Sequence, residues 1–291
     1  MVLSRSFKAT QLKGPSLALP GVGLSCAGSE NGKPVVFIHG WGGCREIWDG
    51  TLARCPAGFR FLSLDLPGTG GTESLSRYTI PLLAQWIHET TNRLGISSFT
   101  LVGHSLGGNV AACAAALAPD RVEKLVLVDA ALYSDRIQRA RYCLHPVTGH
   151  SALVLTRVSA AALAAMGLVF PDDGRGGFWR PYFRRNKYVV SCNSHRAMKG
   201  QLEALVAHPF DMRLLPPALP VLIQHGKKDQ VIPFAFAEEM IATRPINTIL
   251  IGYENVMHCP MDAMPDRFIK DLADFLEGDP SGSERSGEID R

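Results

Sequence analysis

Gly103-His104-Ser105-Leu106-Gly107 follows the apolar run Phe99–Val102 and precedes the Ala-rich stretch Gly108–Ala118. A strand that turns into a helix within five residues leaves few folds open, and a serine at that turn is held in a strained backbone conformation. The glycines two before and two after it leave room for the turn and for close packing of helix on strand. The Ser105 hydroxyl is then expected to stand above a sheet at a helix N-terminus, where the dipole favours developing negative charge. The pentapeptide alone is compatible with a serine that merely caps a helix. The strand before it and the helix after it favour a nucleophile.

The flanking sequence repeats the alternation. Buried parallel strands are expected at Val35–His39, Phe61–Asp65, Phe99–His104, Lys124–Asp129, Val221–His225 and Thr248–Ile251. Helices are expected at Tyr78–Leu94, Gly107–Ala118, Phe234–Thr243 and Met261–Glu277. This order predicts an α/β fold, a mostly parallel sheet with helices on both faces. Residues Gln11–Cys26 are expected to add edge strands. Between Asp129 and Pro220 the alternation stops, and stretches such as Ala152–Leu168 carry helical periodicity. A structureless loop of that length is uncommon, so an inserted helical cap is the natural reading. The expected organisation is a core of residues 1–130 and 218–277, a cap of residues 131–217, and a disordered tail of residues 278–291.

Composition narrows the function classes. Hydrophobic residues make up 46% and charged residues 20%, as in a folded globule, and a net charge of +3 is too small to argue for nucleic acid. The most apolar stretch, Ala152–Phe170, is broken by Arg157 and reads as no transmembrane helix. No continuous apolar segment near the N-terminus marks a secretory signal. Seven cysteines, odd in number, are scattered without a C-x-x-C pair. They are expected to be reduced thiols in a cytoplasmic protein, forming neither a disulfide frame nor a zinc site.

An activated serine needs a base within hydrogen-bond reach and a third group that orients the base. The expected base is His258, between the strand Thr248–Ile251 and the last helix. The expected acid is Asp229, just past the strand Val221–His225. Both then lie at carboxyl ends of parallel strands, the edge where Ser105 emerges and where ligands bind in open α/β sheets. Asp129, at the end of the preceding strand, is a rival acid. The oxyanion of a tetrahedral intermediate needs donors. The backbone N–H groups of Leu106 and Trp41 are the candidates, the latter in His39-Gly40-Trp41-Gly42-Gly43. Gly40, Trp41 and His104 are the expected substrate-binding residues, with the Trp41 ring walling an acyl pocket. The His104 side chain is expected to point away from the nucleophile.

These motifs, with Asp65-Leu66-Pro67-Gly68, Val231-Ile232-Pro233 and Pro260, make residues 33–130 and 220–276 resemble the α/β-hydrolase superfamily. The resemblance implies a Ser-Asp-His triad, no metal or organic cofactor, and a cap inserted after the sixth strand. It makes Asp65–Gly68 a structural turn. A serine nucleophile argues against haloalkane dehalogenases and epoxide hydrolases, which carry aspartate there. One departure is Met257, where family members often have glycine before the histidine.

From Ala131 to Pro216 there are 12 Lys and Arg against 5 Asp and Glu, while the rest of the chain has 18 against 22. Arg175, Arg180, Arg184, Arg185 and Lys187 lie among aromatic residues. A solvated helical face explains that cluster, and so does steering of an anionic substrate, an acidic carrier protein or an anionic lipid surface. The expected activity is hydrolysis of a carboxylic ester with an apolar acyl group through an acyl-enzyme on Ser105. The alternatives are a thioesterase acting on acyl-carrier-protein or coenzyme-A thioesters and, from a different class, a ligand receptor on a hydrolase fold. In its His39–Gly42 and Gly103–Gly108 motifs the chain resembles esterases of carrier-protein-bound acyl methyl esters.

Overall fold

In a computed structural model, the apolar runs assemble into one seven-stranded sheet in the order β1-β3-β2-β4-β5-β6-β7. The structure describes residues 21–136, 154–162 and 188–278. The strands are β1 (Leu24–Gly28), β2 (Lys33–Ile38), β3 (Phe59–Leu64), β4 (Phe99–His104), β5 (Val122–Val128), β6 (Val221–Gly226) and β7 (Thr248–Tyr253). β1 pairs antiparallel with β3, and every other pairing is parallel. The central strands are rich in Val, Ile, Leu and Phe because helices cover both of their faces. Val35, Phe37 and Phe61 pack beside Trp48 and Phe268 on one face. Ile38, Leu64 and Leu101 pack beside Leu83, Ile87 and Val110 on the other.

Helix α1 (Asp49–Leu52) is one turn long; α2 (Ile80–Arg93) and α3 (Leu106–Leu117) pack together on one face of the sheet. Thr79 starts α2, its hydroxyl accepting the Leu82 N–H at 3.2 Å. Six of the nine buried residues of α3 are Ala or Gly, which lets it lie close over β4 and β5. The last expected helix is divided: Pro260–Ala263 ends at Met264, and Pro265 opens a new helix that runs to Glu277. Proline suits a first helical turn, where its missing N–H has no partner to lose.

Between β5 and β6, residues 154–162 and 188–192 are helical, followed by the helix His195–Ala207. Among the described residues this segment follows the fifth strand, not the sixth. The expected edge strand before residue 21, most of the basic aromatic cluster, the Pro171–Gly177 stretch and the tail beyond residue 278 lie outside the described residues. Among the described residues no helix is long and apolar enough to cross a membrane.

The sheet order reverses between β2 and β4: β3 lies on one side of β2, and the chain then crosses to β4 on the other. The crevice at their carboxyl ends is where such sheets receive ligands. The Gly40–Gly43 loop and Ser105 both emerge there.

One expectation is overturned. Cys44 and Cys192, 148 positions apart, are paired as a disulfide with their Cα atoms 6.1 Å apart. Cys26, Cys55, Cys113 and Cys259 are free. The scattered spacing hid a bridge because pairing depends on the fold and not on sequence separation. The cysteine argument for a reducing, cytoplasmic setting therefore does not extend to this pair.

Candidate active site

Ser105 sits between β4 and α3 with φ 53° and ψ −117°, a conformation that costs a non-glycine residue energy unless the surroundings enforce it. Three hydrogen bonds enforce it. Its N–H donates to the Val128 carbonyl at 2.9 Å, and its carbonyl accepts from the N–H groups of Gly108 and Ala131, each at 3.0 Å. The flanking glycines are required by close approach. A Cβ on Gly103 would lie 2.2 Å from the Gly107 carbonyl oxygen, and one on Gly107 would lie 2.5 Å from that of His39.

Opposite Ser105, the Gly40 carbonyl accepts the Gly43 N–H at 3.0 Å across a tight turn in which Gly42 has φ 73°. A glycine in the third position of such a turn supplies that positive φ without steric cost. The turn lies against Ser105: a Cβ on Gly40 would be 2.9 Å from the Ser105 Cβ and 2.8 Å from His104 Nδ1. His39 fixes the turn from below. Its Nε2 accepts the Leu66 N–H at 3.0 Å, and its Nδ1–H donates to the Gly40 carbonyl at 2.8 Å. Leu106 opens α3, so its N–H belongs to the first helical turn, whose amides have no intrahelical acceptor. The Trp41 indole N–H donates to the Met198 carbonyl at 2.7 Å, tying its ring to the helix His195–Ala207.

His258 and Asp229 meet. His258 Nδ1 lies 2.6 Å from Asp229 Oδ2, and both residues are buried. The other oxygen of Asp229 accepts the Val231 and Ile232 N–H groups at 2.7 and 3.0 Å, so the carboxylate is gripped at both ends. Burial alone would raise its pKa. The His258 imidazole, its hydrogen bond and the Ile232 amide outweigh burial and hold it below the ordinary value. Met257 lies in the loop that carries His258, and its carbonyl accepts the Cys259 N–H at 3.0 Å.

The rival Asp129 lies in the same cluster but serves another partner: its Oδ1 accepts the Gly226 N–H at 2.9 Å. His225 stands beside both acids, its Nε2 3.6 Å from Asp229 Oδ2 and 3.8 Å from Asp129 Oδ1. That nitrogen lies 2.9 Å from the Ile232 carbonyl, as a donor. Burial lowers the His225 pKa, with the Ile232 carbonyl and Asp229 opposing. His104 turns inward from the crevice. Its Nε2 lies 2.9 Å from the His258 carbonyl oxygen, and its ring centroid is 4.8 Å from that of His258. The histidine expected to touch substrate thus braces the loop of the expected base.

Three groups of donor atoms are compact enough for a metal ion among the described residues: Cys44, Glu46 and Cys192; His104, Asp129 and His258; and Asp129, His225 and Asp229. Within these groups the two sulfurs bond each other, His258 and Asp229 share a hydrogen bond, and His104, His225 and Asp129 hold the backbone contacts described above.

The fold and this crevice define a hydrolase-type α/β protein. The chain belongs to the α/β-hydrolase family, whose model matches residues 33–258. Over 269 residues it is 30% identical to a non-heme chloroperoxidase of Streptomyces lividans, covering 86% of this chain and 94% of that protein. It is 26% identical to a pimeloyl-[acyl-carrier protein] methyl ester esterase of Nitrosomonas europaea, covering 82% of this chain and 94% of that one. A thermophilic esterase from Thermogutta terrifontis shares the fold with a TM-score of 0.67 at 22% identity, covering 89% of this chain and 95% of its own.

Proposed function

We propose that the protein is a serine ester hydrolase that works through an acyl-enzyme on Ser105. The observation that carries this reading is the 2.6 Å hydrogen bond between His258 Nδ1 and Asp229 Oδ2 at the sheet edge from which the strained Ser105 emerges. Asp229 fixes the imidazole with Nδ1 protonated, leaving Nε2 to take the Ser105 proton as Oγ attacks the ester carbonyl. The negative charge then develops on the carbonyl oxygen, which the N–H groups of Leu106 and Trp41 receive. Collapse of the intermediate expels the alcohol, protonated by His258. Water then repeats the sequence on the acyl-enzyme and releases the acid.

Methyl ester esterases among the relatives support ester over amide cleavage, and the apolar residues around Trp41 (Ala160, Val189 and Met198) favour an apolar acyl group. A carrier-protein-bound acyl ester or thioester is the second reading. It is favoured by the carrier-protein methyl ester esterases among the relatives and by the basic excess of residues 131–216. Hydrolysis of p-nitrophenyl esters of graded chain length, compared with acyl-carrier-protein and coenzyme-A substrates, tests both. Turnover of the simple esters at one preferred length supports the first reading. Turnover confined to carrier-bound substrates, and falling with added salt, supports the second.

A further inference from the structure

The disulfide lies where the segment between β5 and β6 rests on the Gly40–Gly43 turn. Cys44 directly follows that turn and is fully buried, while Cys192 is partly exposed at the end of the helical residues 188–192. The same two segments meet around it through weaker contacts. The Tyr188 hydroxyl donates to the Glu46 carbonyl at 2.9 Å, and the Asn193 side-chain amide donates to the Gly43 carbonyl at 3.1 Å. Val189 packs on Gly42, where an added Cβ would come within 3.1 Å of it. The Gly70 N–H donates to the Cys192 carbonyl at 2.8 Å, and Thr69 and Asn193 form an isolated antiparallel bridge.

We propose that Cys44–Cys192 is a thiol–disulfide exchange site that locks this cap segment onto the turn bearing the Trp41 amide when oxidised and releases it when reduced. The lock is a property of the fold; its effect on turnover rests on the hydrolase reading above.

The two sulfurs differ in access, which sets the order of events. A small thiolate such as reduced glutathione attacks Sγ of the partly exposed Cys192. The S–S bond breaks, and Cys44 leaves as a thiolate that takes up a proton. A second thiol attacks the reagent's sulfur in the mixed disulfide, releasing Cys192 as a thiol and the reagent as its own disulfide. Two electrons and two protons pass to the protein. Oxidised glutathione drives the reverse sequence. Two other thiols are poor competitors, because burial pushes Cys55 and Cys113 up to about 11 and keeps them protonated.

Once the bond is cut, only the non-covalent contacts hold residues 188–193 against the turn. These contacts open locally far more often than a covalent bridge, so both the turn and the cap gain freedom.

The test uses the full chain equilibrated in oxidised or reduced glutathione. Intact mass and peptide mapping are expected to show the oxidised form lighter by two hydrogen masses, with Cys44 and Cys192 in one linked peptide. Reduction is expected to speed proteolysis within residues 188–207 and to lower kcat on a short ester, each by about fivefold or more, and reoxidation to restore both. Cys192→Ala is expected to behave as the reduced form in either buffer; should it fail to fold, the wild-type redox cycle decides alone. The proposal is overturned if both sulfurs stay as free thiols in oxidised glutathione or carry a metal ion instead. It is also overturned if the pair forms and proteolysis is the same in both states. A redox-dependent proteolysis pattern in a protein with no turnover in either state would uphold the lock and remove the hydrolase reading.

Discussion

His104 Nε2 donates to the backbone carbonyl of His258 across 2.9 Å, joining the residue before Ser105 to the base expected to serve it. The two are 154 positions apart, and both side chains are buried. The bond holds the backbone of His258 while Asp229 holds its ring, so the imidazole is located from two directions. A base fixed in this way needs no reorganisation when the serine attacks.

His104→Ala removes the brace without touching a reacting atom. The expected result is a fall in kcat of about tenfold with KM changed little, the cost of one buried hydrogen bond expressed in the transition state. His104→Gln, which keeps a donor, is expected to recover part of the loss. Steady-state kinetics on a short ester separates the two parameters, and a change confined to KM would return His104 to the substrate-binding role.

The two aspartates separate by partner. Asp229→Asn replaces the acceptor of the Nδ1 proton and favours the wrong tautomer, for an expected loss in kcat of about 10³–10⁴-fold. Asp129→Asn weakens the acceptor of the Gly226 N–H and is expected to lower kcat less than about tenfold, with a measurable drop in Tm. Equal losses in kcat would mean that the acids share the role.

Gly40→Ala puts a methyl group 2.9 Å from the Ser105 Cβ and 2.8 Å from His104 Nδ1. Contacts that short force the turn away from Ser105. The expected outcome is near-complete loss of turnover in a protein that remains folded by circular dichroism. Full activity in this variant would remove the Gly40–Gly43 turn from the oxyanion site.

Stability is expected to fall on mild acidification. Burial lowers the pKa of both His39 and His225 from 6.5, against the opposing pull of Asp65 and the Gly40 carbonyl in the first case and of the Ile232 carbonyl and Asp229 in the second. Below pH 6.5 the unfolded chain binds these protons before the folded one does. Stability is therefore fully present above that pH and is lost as pH falls toward the folded-state values. The depressed pKa of Asp229 adds a second loss at lower pH, below its ordinary value of 3.8. Urea midpoints between about pH 8 and 4.5 should decline through the first window. A flat profile there would contradict the burial of neutral imidazoles.

Strand β4 was legible to the residue at Phe99–His104, a mostly apolar run that stops at the Ser105 turn, and so was the helix Phe234–Thr243, which is bracketed by Pro233 and Pro245. The one-turn helix Asp49–Leu52 was not, since four residues give no period to read. The break at Met264 was missed because the apolar period of Met261–Glu277 continues through it, and only Pro265 marks it. Ser105, Asp229 and His258 stand out by motif and by their places after strands. The brace from His104 and the bridge from Cys44 to Cys192 do not, because each joins segments that only the tertiary fold brings together.

The central claim, that Ser105 is an activated nucleophile, is tested most directly by intact-mass analysis after reaction with a fluorophosphonate. Wild type is expected to take up one adduct, mapped to Ser105, while Ser105→Ala takes up none and His258→Ala reacts far more slowly. An unlabelled wild type, or an adduct that persists in Ser105→Ala, would contradict the account.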